Sequence, residues 1–202
     1  KFFKLKLLWY NVYMVKTIKT NETALTEIKK SKFFSYAFYC ETLEEVKNFL
    51  DSLKLEHKKA THICFAYVVN GSVKASDNGE PQGTAGVPIL EVIKKQNLEN
   101  VLICVVRYFG GIKLGAGGLI RAYGESAKNV IEKCEICNLI NATHYTLKLE
   151  YTQESVLNDL KKLANIFNLD VKYNQKIDVS FYATELIDLK NFEKYNLTKQ
   201  EN

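Results

Sequence analysis

The segment RYFGGIKLGAGGLIR, residues 107–121, constrains the fold more than any other stretch of this sequence. An apolar run over residues 101–107 precedes it and predicts a buried strand. An apolar stripe that begins at Leu119 follows it and predicts a helix ending near Lys133. The five glycines between them predict a loop over residues 109–118. A strand, a glycine loop and a helix N-terminus bring free backbone N–H groups to the positive end of a helix dipole, which favours an anion.

Glycine and arginine are concentrated around this segment. All ten glycines, both prolines and both arginines lie between Gly71 and Gly124, whereas lysine occurs throughout. Arginine offers a planar fork of donors suited to phosphate or carboxylate, which lysine lacks. An exposed cation in the first turn of a helix opposes the dipole by about 0.3–1 kcal/mol, so Arg121 is better placed if an anion lies nearby. The candidate ligand-binding residues are Arg107, Tyr108, Phe109, Gly110, Gly111, Lys113, Gly115, Gly117, Gly118 and Arg121.

A purely structural explanation of the same residues stays open. The glycines could serve only a tight strand-to-helix connection, and Arg121 could pair with Glu125. Known phosphate loops do not match the segment. Ile120 stands where a dinucleotide fingerprint needs glycine, and Ala116 and Gly117 stand where a nucleoside-triphosphate loop needs lysine and then serine or threonine. The sequence therefore predicts anion binding without predicting either of those folds.

The loop over residues 77–84 supplies the candidate catalytic groups Asp77 and Glu80, and His62 is the third. Two carboxylates on a turn could bind a metal, accept from an arginine or transfer protons. We favour arginine partners, because a nearby guanidinium keeps a carboxylate charged and makes it a poor base. The loop lacks the ligand pattern of a calcium site, and the lone Cys134–Cys137 pair does not make a zinc site. No metal site and no cofactor are predicted.

Composition and charge exclude some classes of protein. With 202 residues, 47% of them hydrophobic, the chain can bury a core, and no apolar run reaches the roughly 18 residues of a membrane span. The five cysteines lie mostly in apolar runs, which indicates reduced thiols and a cytoplasmic protein. The formal net charge of +5 arises within residues 1–30, which contain seven lysines and two glutamates. The rest of the chain is nearly neutral, so the net charge does not establish a phosphate-binding surface, although a local patch can still form in three dimensions. No sequence-specific DNA readout is expected.

The pattern along the chain predicts an α+β protein with two domains, residues 14–138 and 142–202. In the first we predict strands over residues 31–40, 61–69, 73–76 and 101–107. We also predict a helix capped by Thr42 and a second helix that is capped by Thr84 and ends at Gln96. The third helix is the one described above, which follows the glycine loop and ends near Lys133. In the second domain we predict strand 143–151, helix 154–167, strands 171–175 and 177–183, and helix 185–195, a ferredoxin-like βαββα unit. Residues 1–13 are interpreted as an upstream extension, with Met14 as the natural start.

Four segments resemble the YigZ family, whose first domain is similar to the N-terminal domain of IMPACT. They are residues 30–33, 57–62, 76–86 and, above all, 107–123. The resemblance covers about residues 27–131, and Asn78 stands where the family usually has a second aspartate. It implies an α+β first domain similar to domain 2 of ribosomal protein S5 and a ferredoxin-like second domain similar to a C-terminal domain of elongation factor G. For IMPACT it implies regulation of translation through a protein partner that controls an initiation-factor kinase.

These observations favour a translation-associated regulatory binding protein that contacts RNA, the ribosome or a ribosome-associated factor through the glycine and arginine segment. An alternative is an enzyme that clamps a small phosphorylated or carboxylated metabolite between arginines. A third interpretation is a protein-docking module without a small ligand. A membrane partner is not expected.

Overall fold

The computed structural model describes residues 15–140, 142–163, 166–184, 189–195 and 197–200. The chain divides into two compact units between Leu139 and Ile140. Residues 1–13, interpreted as an upstream extension, and Met14 lie outside the described residues. No helix within the described ranges is both long enough and apolar enough to cross a membrane.

The first unit is built on a five-stranded antiparallel sheet in the order β2-β3-β6-β4-β5. Two further strands, β1 and β7, pair with each other. The polar or short strands β1, β2 and β7 are missing from the sequence prediction, because they lack a clear apolar alternation. The elements are, in chain order, β1 (Lys16–Ile18), β2 (Glu22–Ile28), β3 (Ser31–Tyr39), α1 (Leu43–Glu56), β4 (His62–Val69), β5 (Ser72–Ser76), α2 (Gly86–Lys95), β6 (Val101–Tyr108), α3 (Gly115–Ile131) and β7 (Ile136–Asn138).

Helices cover both faces of this sheet. On β6, Val101, Ile103 and Val105 belong to the buried cluster that includes α2 and α3. Their neighbours Leu102 and Cys104 belong to a second cluster that includes residues of α1. Successive side chains of a strand point to opposite faces, so Arg107 continues the row that faces α2 and α3, and Tyr108 continues the row that faces α1.

Helix boundaries confirm one predicted cap and correct another. Thr42 begins α1 in a capping box, in which its side chain accepts a hydrogen bond from the backbone of Glu45 at 3.2 Å. Thr84 does not cap α2, which begins at Gly86, because its hydroxyl donates to the carbonyl of Pro81 at 2.6 Å. Helix α3 begins at Gly115, so the predicted glycine loop is shorter and its last glycines belong to the first helical turn.

The second unit is a four-stranded antiparallel sheet in the order β11-β8-β10-β9. Its strands and helix are β8 (Thr143–Leu149), α4 (Val156–Lys161), β9 (Ile166–Tyr173), β10 (Ile177–Ala183) and β11 (Thr198–Gln200), with 3₁₀ helices over Tyr151–Gln153 and Lys190–Tyr195. The α+β class is confirmed, and this strand order fits the ferredoxin-like expectation.

Several element predictions in this unit need correction. The predicted helix over residues 154–167 is wrong in length, because β9 already begins at Ile166 and pairs with β10. The terminal helix is a 3₁₀ helix over its described part, and residues 185–188 lie outside the described residues. The strand β11 follows it and was not predicted.

Candidate functional site

The site is centred on an ion pair between Arg107 and Glu80. Nη1 of Arg107 donates to Oε1 of Glu80 at 2.6 Å, and the two side chains are only 6% and 4% exposed. The hydroxyl of Tyr123 donates to the same carboxylate oxygen at 2.8 Å. The guanidinium lies 5.5 Å from the centroids of the rings of Phe33 and Phe109. The charge of Arg107 is therefore compensated within the chain, and Glu80 is its partner.

Asp77, the other candidate carboxylate of the loop, holds the start of α2. It accepts backbone N–H hydrogen bonds from Gly83, Ala85 and Gly86 at 2.8, 3.0 and 2.8 Å. Burial raises the pKa of Asp77, but the three N–H donors outweigh it and hold the pKa below its usual value of 3.8. This carboxylate does the capping that was predicted for Thr84, and it contacts neither arginine among the described residues.

His62 lies beside the ion pair. Its Nδ1 donates to the carbonyl of Asn78 at 2.9 Å, and its Nε2 lies 3.9 Å from Oε2 of Glu80. Cys64, on the same strand, donates to the carbonyl of Asp77, and burial raises the pKa of its thiol to about 12, so it stays protonated. No three His, Cys, Asp or Glu side chains within the described ranges form a group that could hold a metal ion.

The glycines of the segment differ in what they do. A Cβ at Gly110 would lie 2.0 Å from the carbonyl carbon of Lys30, so only glycine fits against that backbone. Gly115 starts α3 with a φ of +71°, which favours glycine. Gly117 has neither constraint, since an added Cβ would come no closer than 3.7 Å to a described neighbour, Nη1 of Arg121. Nothing within the described chain explains the glycine at 117.

A cavity of about 290 Å³ lies between the ion pair and the start of α3. The N-cap residue of α3 is Leu114, whose side chain offers no acceptor, and no described group accepts from the amides of residues 115–117. These three N–H groups are the free donors that the sequence predicted. The cavity is lined by Glu80, Pro81, Arg107, Phe109, Lys113, Leu114, Gly115, Ala116 and Leu119.

The structure gathers only some of the candidate residues. Arg107, Phe109, Lys113 and Gly115 line the cavity. Tyr108 lies on the opposite face of the sheet, where its hydroxyl is hydrogen-bonded to Nδ1 of His57 at 2.9 Å.

Arg121 is exposed, is not among the cavity-lining residues and makes no ion pair with Glu125 within the described part of the chain. The two arginines therefore do not form a clamp across the cavity.

Sequence reasoning missed several contributors to the site. Ser31 accepts from the amide of Gly110 at 3.2 Å and lies 3.5 Å from Nη2 of Arg107. Tyr123 belongs to the apolar stripe that begins at Leu119, which predicts only a core residue, yet its hydroxyl donates to Glu80. Both lie in segments that resemble the YigZ family, which was the available signal. Pro81 and Leu119 lie in these segments as well, but neither residue type carries chemistry that would single it out as part of a site.

Comparison with known proteins places this chain among relatives. Residues 29–131 match the Impact N-terminal domain family. IMPACT family member YvyE of Bacillus subtilis is 37% identical over 163 residues, covering 78% of this chain and 74% of that protein. IMPACT family member YigZ of Escherichia coli is 38% identical over 136 residues, covering 65% and 67%.

A crystal structure of a hypothetical protein superposes with a TM-score of 0.65 at 28% identity, covering 93% of this chain and 97% of that one. The extent of these matches confirms the predicted relationship to YigZ. The chain therefore belongs to the IMPACT family.

Proposed function

We propose that this chain is a cytoplasmic, translation-associated regulatory protein that binds a ribosome-associated protein factor through the surface around the glycine segment. The resemblance to IMPACT supports the translation context. The observation that carries the proposal is the exposure of large apolar side chains beside cations in this segment. Phe109, Ile112 and Ile120 are 47%, 42% and 45% exposed, and Lys113 and Arg121 are exposed as well. We call these five residues the docking surface.

The composition of the docking surface favours a protein over RNA. Two aliphatic side chains suit the apolar core of a protein interface and contribute nothing to base stacking or phosphate contacts. Tyr108, a candidate ligand-binding residue whose ring could stack on a base, lies on the other face of the sheet from Arg107, with His57. The body of the chain is nearly neutral beyond its first 30 residues, which argues against tight binding of a polyanion.

The geometry gives less support to the alternative of a metabolite enzyme. That alternative needed two arginines around one ligand and a free acid or base. Arg107 is committed to Glu80, Arg121 lies outside the cavity lining, and Asp77 caps α2. His62 with Glu80 is the remaining pair that could transfer a proton. Binding is therefore the function that these contacts favour.

Affinity capture of the tagged full chain from gently lysed cells tests this proposal. The variant Ile120→Asp/Arg121→Ala alters two exposed residues and spares the buried Arg107, whose loss would threaten the fold. Leu55→Asp, at an exposed leucine of α1, is the matched control for placing an acid on an apolar surface position. We expect ribosomal proteins or translation factors to be captured by the wild type and by Leu55→Asp, and to be lost from the double variant.

Ribonuclease treatment separates protein from RNA contacts. Capture that survives ribonuclease supports a protein partner. Capture that ribonuclease abolishes would contradict a protein partner and indicate RNA instead. The proposal fails if translation components are absent from the wild-type capture, or if the double variant and Leu55→Asp lose them equally.

A further inference from the structure

The first turn of α3 offers donors without acceptors at the edge of the cavity. The amides of residues 115–117 have no partner among the described residues, and Leu114 cannot cap them. The α3 helix has 17 residues, so its aligned peptide dipoles place a partial positive charge at this end. Ala116 and Gly117 are exposed and bring no side chain that would shield these amides. An anion has direct access to them.

A second observation comes from the buried side chain of Arg107, which lines the same cavity. The residue is 5% exposed, and its Nε has no hydrogen-bond partner within the described part of the chain. Its other nitrogens face Glu80 and Ser31. Buried donors in proteins are almost always paired, so an unpaired one beside a cavity indicates a missing acceptor. Phe109 lies against the guanidinium and is half exposed, so its ring forms the outer wall of the cavity at Arg107.

The charge of the cavity also favours an anion. Arg107 and Lys113 are cationic and Glu80 is anionic, so the lining carries a net charge of +1. Among the described residues that line the cavity, Glu80 is the one carboxylate, and Arg107 and Tyr123 both donate to it. Its negative charge is therefore largely compensated. Lys113 stays exposed and free to approach a ligand.

The remaining walls are apolar. Phe109, Leu114 and Leu119, together with Pro81, present hydrocarbon surface to the cavity. The volume of about 290 Å³ lies near the lower end of ligand pockets, which suits a molecule of about the size of one ring with one charged group.

We propose that this cavity binds a small molecule that carries a phosphate or carboxylate group joined to an apolar or aromatic group. The anion accepts from the amides of residues 115–117 and lies near Lys113, and the apolar part packs among Phe109, Leu114 and Leu119. This site goes beyond the proposed docking function and does not depend on it, because it needs no macromolecular partner.

Calorimetric titration of the full chain tests the proposal with four probes. Phenyl phosphate and benzoate carry a ring with an anion, inorganic phosphate has no ring, and benzyl alcohol has no charge. We expect phenyl phosphate or benzoate to bind at least about tenfold more tightly than benzyl alcohol and inorganic phosphate. The tighter of the two ring anions identifies the preferred anionic group. If neither ring anion binds, or if benzyl alcohol binds equally well, the proposal is overturned.

The substitution Ala116→Asp tests the location without threatening the fold. An aspartate in the first turn of a helix stabilises it, so we expect an unfolding temperature equal to or above that of the wild type. The same carboxylate occupies the anion position, so the affinity for the ring anion should fall at least about tenfold. Ser52→Asp places the same charge on an exposed position of α1 and should leave the affinity unchanged.

Lys113→Gln removes a lysine from the rim of the cavity, and the matched control Lys128→Gln removes one from the last turn of α3. Only Lys113→Gln should weaken binding. Unchanged affinity in both Ala116→Asp and Lys113→Gln would place the anion elsewhere and overturn the proposal. Absence of translation components from the wild-type capture, with retained ring-anion binding, would contradict only the docking function, and capture by the wild type without ring-anion binding would contradict only this site.

Discussion

Replacing Glu80 by glutamine should destabilise the first unit strongly. Glutamine keeps the shape and one acceptor oxygen, but it leaves the positive charge of Arg107 buried without a counter-charge. Removing one partner of a buried ion pair costs about 3–5 kcal/mol. We expect about 3 kcal/mol, because the amide oxygen still accepts from Arg107 or Tyr123. That is a large share of a typical folding free energy of about 5–15 kcal/mol.

Scanning calorimetry is the suitable assay, because two units can unfold in separate transitions. A loss of 3 kcal/mol corresponds to a fall of roughly 10 °C in the unfolding temperature of a unit of this size. Only the transition of the first unit should move. The matched control is Glu135→Gln, which makes the same chemical change in the exposed pair with Lys19 and should have little effect.

The double variant Glu80→Gln/Arg107→Met completes the test. Removing both charges leaves no unpaired ion, so the double variant should be less destabilised than Glu80→Gln alone. If the unfolding temperatures of Glu80→Gln and Glu135→Gln agree within error, the ion pair between Glu80 and Arg107 does not stabilise the unit. The buried charge of Arg107 would then be solvated in some other way. If the double variant is the least stable of all, hydrogen bonding or packing of Arg107 matters more than its charge.

Two further predictions concern the backbone around the site. Gly110→Ala should destabilise by about 1–3 kcal/mol, because its Cβ would overlap the backbone of Lys30, whereas Gly124→Ala, in open space within α3, should stabilise by about 0.5–1 kcal/mol. Chemical denaturation measures the free energy of unfolding of both variants. If both substitutions changed it in the same direction, the close approach at Gly110 would be contradicted. Asp77→Asn should cost about 1 kcal/mol at pH 7 through the weakened cap of α2. Because the folded pKa of Asp77 lies below 3.8, its contribution is complete above pH 3.8 and is lost as the pH falls through the folded value. Urea denaturation from pH 7 to pH 3 measures how the free energy of unfolding of each protein depends on pH. A difference between wild type and Asp77→Asn that grows on acidification would contradict the prediction.

The sheet strands of the first unit were largely predictable because β3, β4 and β6 are apolar or alternating over eight or nine residues. The Asn70-Gly71 turn also predicts the hairpin of β4 and β5. In the second unit, apolar residues continue at helical spacing past the end of α4, and the pattern alone extends the helix to residue 167. Pairing of β9 with β10 overrides that local preference.

Parts of the candidate site could not be predicted from spacing. Glu80 meets Arg107 because α2, α3 and the sheet together bring a loop 27 residues upstream against the end of β6. No local pattern encodes such a meeting. The sequence does predict, however, that Arg107 and Tyr108 lie on opposite faces of the sheet. The alternation of a strand already assigns adjacent residues to opposite faces, and that rule excludes Tyr108 from a surface shared with Arg107.

The anchoring of Phe109 and Gly110 has a consequence for binding thermodynamics. The amide of Phe109 donates to Oγ1 of Thr61 at 3.1 Å, the amide of Gly110 donates to Oγ of Ser31, and the bare Cα of Gly110 lies against the backbone at Lys30. A loop with these contacts is already ordered before any partner arrives. Association therefore loses little conformational entropy. A small interface at this segment can then bind more tightly than the same interface built on a flexible glycine loop of the same composition.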